Sequence, residues 1–339
     1  MKTALITTTI NVPTVLELYR ACDPDVMFFI AGDRKTDDMA VVNFLDAIPN
    51  HAYYGIDLQH KLGYKCSQLL GENTITRRNI MLLEALKWGA DVIVSIDDDN
   101  IPLDEDYFAD VTQYFDPESI MKRCPFYGMA ASSEQGWVDV GQLLEPPASH
   151  RGFPYAIQPV LHVSHVVNAK IGVAAGICLG DPDIDATTRI VNAPVVTNVS
   201  ELLRAGIVVN PQNSWTVFNT QNTAFIRELA PAMFCAPGFG RFDDIFASLI
   251  TQAIMRDKGY HVHFGKPFVW QQRNPHNLVK DLRVELFGME HIHNLRRLVA
   301  NMPNPTVRGI YEHLAHTDWC PPNVPEVALA FLDDCEKVL

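Results

Sequence analysis

The string Val92-Ile93-Val94-Ser95-Ile96-Asp97-Asp98-Asp99 restricts this chain more than any other. An apolar, β-branched run of that length has the character of a strand covered on both faces, and it stops at three adjacent carboxylates. Like charges crowded at one strand end repel one another unless a counter-charge is supplied. In an open α/β sheet, ligands bind outside the carboxyl ends of the strands, so the triplet falls where a ligand site is expected. A divalent cation suits it. Mg²⁺ and Mn²⁺ prefer oxygen ligands, and Mg²⁺ is commonly held by one or two carboxylates together with phosphates. The competing reading is a solvated turn, because Asp and Asn are common turn residues.

The flanking segments alternate between strand and helix. Ala4–Ile10 and Val26–Ala31 read as strands, and Thr14–Arg20 has helical spacing. Asn73–Trp88 reads as an amphipathic helix capped by Thr74 or Thr76, with Ile80, Leu83, Ala85 and Leu86 inward. Phe242–Lys258 reads as a further helix, Val262–Trp270 as a strand, and the chain from Lys280 onward as mostly helical. This alternation predicts an α/β fold with a mostly parallel sheet and helices on both faces. The change in pattern puts a domain boundary near residue 280, separating residues 1–280 from a helical C-terminal extension, 281–339.

Charge narrows the partners. The sum 27 − 40 = −13 disfavours nucleic acid, which needs a surplus of Lys and Arg. The longest apolar stretches are interrupted by polar residues, so no membrane helix is expected, and a cytoplasmic location is. The cysteines, at 22, 66, 124, 178, 235, 320 and 335, show no CxxC spacing and read as reduced thiols.

A second acidic pair lies in Gly238-Phe239-Gly240-Arg241-Phe242-Asp243-Asp244, at a helix start. The glycines permit close backbone approach. Asp243 or Asp244 either caps the helix or places a carboxylate on substrate as a base or hydroxyl binder. His162 and His165 sit on a strand-like segment, which turns their rings to opposite faces.

Taken in order, these strings resemble the reversibly glycosylated polypeptides. That family includes the plant UDP-arabinopyranose mutases and a bacterial GDP-sugar pyranose–furanose mutase of nucleoside-antibiotic biosynthesis. Ile96–Asp99 resembles the family's metal-binding triplet. Arg151-Gly152-Phe153-Pro154-Tyr155 resembles the segment holding its glycosylated arginine, which would be Arg151. Asn219–Leu229, which contains Asn222, resembles the stretch before the second acidic pair, and Gly240–Asp244 resembles that pair. Pro267-Phe268-Val269-Trp270 and Asn274-Pro275 resemble its closing strand and loop. Where the plant proteins have a histidine after that strand, this chain has Gln271, and His276 is the nearby candidate for a third metal ligand.

The resemblance implies a glycosyltransferase A-type, Rossmann-like fold that binds a UDP- or GDP-linked sugar through Mn²⁺ or Mg²⁺. Asp97 and Asp99, with His276, would hold the metal. Asp33, Arg77, Arg78, Asp98 and Asn222 would contact substrate, and Arg151, Asp243 and Asp244 would carry the chemistry. The expected activity is a flavin-independent pyranose–furanose mutase. The alternatives are a metal-dependent glycosyltransferase acting on an external acceptor and a non-catalytic nucleotide-sugar-binding subunit. Family members assemble into complexes, so a homo-oligomer is compatible with this reading.

Overall fold

A computed structural model describes residues 1–115, 128–166, 169–273 and 277–339. Its strands are β1 (Thr3–Thr8), β2 (Met27–Ala31), β3 (His51–Tyr54), β4 (Val92–Ile96), β5 (Asn100–Pro102), β6 (Gly128–Ser132) and β7 (Leu144–Glu145). They continue with β8 (His162–Val166), β9 (Lys170–Gly180), β10 (Asn198–Val199), β11 (Ile207–Val209), β12 (Asn222–Ile226) and β13 (Tyr260–Gln271). An eleven-stranded sheet runs β3-β2-β1-β4-β12-β9-β13-β11-β6-β8, with β5 added against β13. β7 and β10 form a separate small ribbon.

The N-terminal part, β3-β2-β1-β4, is entirely parallel, with Ile6 beside Ser95 and Thr7 beside Ile30. β12 then runs antiparallel between β4 and β9, and β13 is parallel to β9. One edge of the sheet therefore gathers the carboxyl ends of β1, β2, β4, β9 and β13 with the start of β12.

Strand alternation sorts the apolar residues onto two faces. Leu5, Phe28, Ile30, Val92 and Val94 share a core with Leu16, Tyr19, Val41 and Phe108 from the helices of one face. Ala4, Ile6, Phe29 and Ile93 share the other core with Ile80 and Leu83 of the helix Arg78–Trp88 and Leu249 of the helix Asp243–Lys258. The expected α/β architecture, with helices on both faces and a helical C-terminus, is what the chain builds.

The expectation for Asn73–Trp88 needs correction. A 3₁₀ turn, Ile75–Arg77, precedes the α-helix, with Thr74 Oγ1 accepting from the Thr76 amide. Residues 78–86 of the helix are buried without interruption, so it is not amphipathic. Its far side meets the C-terminal helix Asn323–Val338. The helices Leu278–Asn301, Val307–Leu314 and Asn323–Val338 contribute Ile292, Leu295, Ile310 and Phe331 to the same core as Ile80 and Leu249. Phe331 stacks on Phe234 with ring centroids 4.5 Å apart.

Among the described cysteines, residues 22, 66, 178, 235, 320 and 335 are free thiols; Cys124 lies outside the described residues. No helix of the described residues is long and apolar enough to cross a membrane.

Candidate active site

β4 delivers its triplet to the carboxyl edge as the sequence predicts, and the carboxylates meet different surroundings. Asp97 is ion-paired to the buried Arg78, whose other amino group donates to Thr220 O at 2.9 Å and Thr220 Oγ1 at 3.0 Å. Burial alone would lower the Arg78 pKa, but Asp97 outweighs it and raises it. Asp98 accepts from Thr9 Oγ1 at 2.5 Å, and burial raises its pKa. Asp99 has a buried Oδ1 without a hydrogen-bond partner. Burial, then the charges of Asp97 and Asp98, push its carboxyl up to about 6. Among the described residues, no three His, Cys, Asp or Glu side chains gather to hold a metal by themselves. His276 lies outside the described residues.

Asp33, Arg77 and Asp98 line one cleft of about 210 Å³ with Thr9, Asn11 and Thr74. Asp33 accepts from the backbone amides of Arg34 (2.6 Å) and Thr74 (3.0 Å), so it joins the turn after β2 to the 3₁₀ turn. Arg77 borders this cleft with 1% of its surface exposed. Its guanidinium donates inward, to Gln59 Oε1 at 2.9 Å and Ser67 O at 2.6 Å. Two adjacent arginines thus diverge, Arg77 toward the interior and Arg78 toward β4. Asn222 is also turned inward. Its Oδ1 accepts from Tyr107 at 2.5 Å, and its Nδ2 donates to Pro267 O at 3.0 Å.

The second cluster is built around Arg151. Its Nε and Nη2 donate to Asp183 at 2.8 and 2.7 Å, and Nη2 also reaches both oxygens of Asp244 at 3.0 Å. Gly152, at φ +88°, brings this segment against the helix Asp243–Lys258, where a Cβ would lie 2.4 Å from Ile245. Gly240 has φ +61°, and a Cβ there would meet Val284 O at 2.5 Å. Both positions need glycine for handedness and for space.

Burial alone would raise the Asp183 carboxyl, but Arg151 outweighs it and holds Asp183 well below the usual carboxylate range. Arg151 is correspondingly held well above its ordinary value by Asp183 and Asp244 against the cost of burial. Asp243 lacks such a partner. Its Oδ1 accepts from the Asp244 amide at 2.9 Å, and burial followed by the Asp244 charge pushes it up to about 7. Thr220 links the clusters, since its carbonyl accepts from Arg78 and its amide donates to Asp244 at 3.4 Å.

Asp183 and Arg273 went unnoticed in the sequence. Asp183 sits in a Pro-containing turn, Asp181-Pro182-Asp183, and nothing local marks its pairing with Arg151 across 32 positions. Arg273 follows β13, with Nε 3.4 Å from Asp181 and Nη2 3.9 Å from Asp183.

The fold and site define an open-sheet α/β protein with an acidic strand end and a buried Arg–Asp cluster at one sheet edge. Residues 150–306 match the family model for reversibly glycosylated polypeptides, so the family resemblance of the motifs is shown over that stretch. Over 151 residues the chain is 30% identical to probable UDP-arabinopyranose mutase 1 of Pisum sativum, covering 42% of this chain and 38% of that protein. Over 140 residues it is 31% identical to UDP-arabinopyranose mutase 3 of Arabidopsis thaliana, covering 39% and 36%. The chain thus spans less than two fifths of the length of these relatives. Among solved structures, 4-diphosphocytidyl-2C-methyl-D-erythritol synthase from Anaerococcus prevotii aligns with 86% of this chain and 96% of its own, at 10% identity and a TM-score of 0.33. Arg151, Asp183, Asp243, Asp244 and Arg273 lie inside the family-matched stretch, whereas Asp33, Arg78 and Asp97–Asp99 precede it.

Proposed function

We propose that this chain is a nucleotide-sugar mutase that interconverts the pyranose and furanose forms of a UDP- or GDP-linked sugar with Mn²⁺ or Mg²⁺. The observation that carries this reading is the meeting of the family-matched Arg151–Asp244 cluster with the acidic end of β4, joined through Thr220 and Arg78. Asp97 and Asp99 would hold the cation. Their hard oxygen donors and the orphaned Asp99 Oδ1 suit a metal whose remaining ligands are substrate phosphates rather than an all-protein cage. Such a cation, when bound, stabilises the charge that builds on a departing diphosphate.

In the proposed reaction the bond from C1 to the phosphate oxygen breaks and the sugar's own O4 bonds to C1. The C1–O5 bond then opens, and the diphosphate rebonds to C1 in the five-membered ring. O4 must lose a proton and O5 must gain one. Asp243 would carry that proton, a role its carboxyl at about 7 supports because such a group accepts and returns a proton near neutral pH. Arg151 stays fully ionised between Asp183 and Asp244, which suits a charge stabiliser and not a nucleophile. The scheme also requires water to be kept from the cation-like sugar, and the burial of Asp243 and Asp244 supports this.

The test is incubation with Mn²⁺ and a panel of UDP- and GDP-sugars without acceptor, followed by chromatography and NMR. The expected product is an isomeric nucleotide sugar of unchanged mass that disappears on chelation. Release of nucleoside diphosphate only when an acceptor is added would replace the mutase with a glycosyltransferase. Thermal stabilisation by ligand without turnover would leave a binding subunit.

A further inference from the structure

The arginines at this sheet edge are not equivalent. Arg78 is committed to Asp97 and Thr220, Arg151 to Asp183 and Asp244, and Arg189 to Asp181 and Pro182 O. Arg77 is held by Gln59 and Ser67. Arg273 differs. Its side chain is only 8% exposed, yet neither Nε nor Nη2 has a hydrogen-bond partner. The nearby carboxylates of Asp181 and Asp183 are already taken by Arg189 and Arg151, and they stand 3.4 and 3.9 Å from Arg273. A buried guanidinium with unmet donors is unfavourable unless something else fills them.

Unmet acceptors lie on the same side. Gln271 Oε1 is buried without a partner, as is Asp99 Oδ1. Residues 271 and 272 are tied to the acidic strand end, since Gln271 registers with Asn100 and the Gln272 amide donates to Asp99 O at 3.4 Å. Arg273 follows directly, near enough to the Asp99 carboxylate for its charge to lower that group's pKa, and its Nε and Nη2 make only the long ion pairs to Asp181 and Asp183 and no hydrogen bond. This arrangement needs a ligand that brings oxygen acceptors to Arg273 and a hydroxyl or cation to Asp99.

We propose that Arg273 is the side chain that grips the anionic group of the substrate, a diphosphate bound between its guanidinium and the Asp97–Asp99 edge. The proposal rests on the nucleotide-sugar reading above. A guanidinium fork takes phosphate oxygens in two parallel, charge-assisted hydrogen bonds, which an ammonium cannot reproduce. A bound diphosphate would fill the Arg273 donors, and a cation carried with it would meet Asp99 Oδ1.

The experiment is calorimetric titration of the full chain, with Mg²⁺ present throughout, with UDP, GDP, inorganic pyrophosphate and the nucleosides uridine and guanosine. Wild-type protein is expected to bind one diphosphate more tightly than its nucleoside. Arg273→Gln is expected to weaken the diphosphate by about 10- to 100-fold and leave the nucleoside unchanged. Arg273→Lys should fall between the two, and melting temperatures are measured beside the titrations, since the long ion pairs to Asp181 and Asp183 are the only internal contacts of the guanidinium that Arg273→Gln removes. Equal diphosphate affinity in wild type and Arg273→Gln overturns the proposal, as does a wild type that gains nothing from the phosphates. The mutase reading fails separately. If binding depends on Arg273 and no isomer forms in the acceptor-free assay, Arg273 keeps its role and the reaction is a different one.

Discussion

The two groups of carboxylates at the sheet edge are handled in opposite ways. Around Arg151 the fold supplies the counter-charge, and Asp183 and Asp244 are bound to one guanidinium inside the protein. At the end of β4, Arg78 answers Asp97 alone, and Asp99 is left buried with an unfilled oxygen and a pKa near 6. A charge neutralised by the protein holds structure together. A charge left without a partner marks where something outside the chain completes the site. The Arg151 cluster is thus the frame of the site, and the β4 end is its open half.

The largest effect should come from closing that open half. Asp99→Asn keeps the shape and removes the charge, and mutase turnover at saturating Mn²⁺ should fall by about 10³-fold or more. Folding should survive, since Asp99 Oδ1 has no hydrogen bond to lose and burial already disfavours its charge. Near-wild-type turnover would remove Asp99 from the site.

The frame should respond in the other currency, stability. Arg151→Met leaves Asp183 and Asp244 buried without their cation, at a cost of about 3 kcal/mol or more. Urea unfolding measures this, and a loss within the error of the midpoint would mean that the cluster is not the frame described. A parallel Arg151→Lys variant retains charge but not the forked contact with Asp183, so it should recover only part of the stability.

What was legible in the sequence follows the same division. The run Val92–Ile96 identified β4, because a strand covered on both faces has to be apolar throughout. The triplet after it was legible because its residues are contiguous. The Arg151 cluster was only half legible. Arg151 and Asp244 belong to motifs, but Asp183 gained its role by folding back from a turn that resembles any other. Arg77 and Arg78 are indistinguishable as neighbours in a string. The change from 3₁₀ turn to α-helix between them sends one guanidinium to Gln59 and the other to Asp97. The helix after them looked amphipathic because the C-terminal helix that covers its other side lies more than 200 residues away in sequence.

Asp243 tests the comparison within a single site by pH. Its folded pKa of about 7 lies above the unfolded carboxylate value of about 4. The folded state therefore holds more protons across that window, and this group lowers stability as pH rises from about 4 to 7. Asp183 has the opposite sign. It contributes stability above the unfolded pKa and loses it as pH falls below about 4. Asp243→Asn should be more stable than wild type at pH 8, by up to about 4 kcal/mol, with the difference vanishing near pH 4. Its turnover should fall by about 10²- to 10⁴-fold. Thermal melts across pH, run beside the activity assay, read both effects. A variant less stable than wild type at pH 8 would show that Asp243 is ionised and paired like Asp183.

The smallest effect is expected at Asp33, which is neutralised in a third way. Its oxygens accept from the backbone amides of Arg34 and Thr74. Backbone amides of this kind hold a carboxylate as a helix cap does, and the loss of such a contact costs about 1 kcal/mol. Asp33→Asn keeps one acceptor oxygen, so one of the two amides retains its partner and the other faces the amide group. Stability should fall by about 1 kcal/mol or less, measured by urea midpoint. Because Asp33 ties the turn after β2 to the 3₁₀ turn beside the 210 Å³ cleft, any change in function should appear in substrate affinity and not in the maximal rate. A large drop in maximal rate at unchanged KM would place Asp33 with Asp99, among the carboxylates that meet the reacting group.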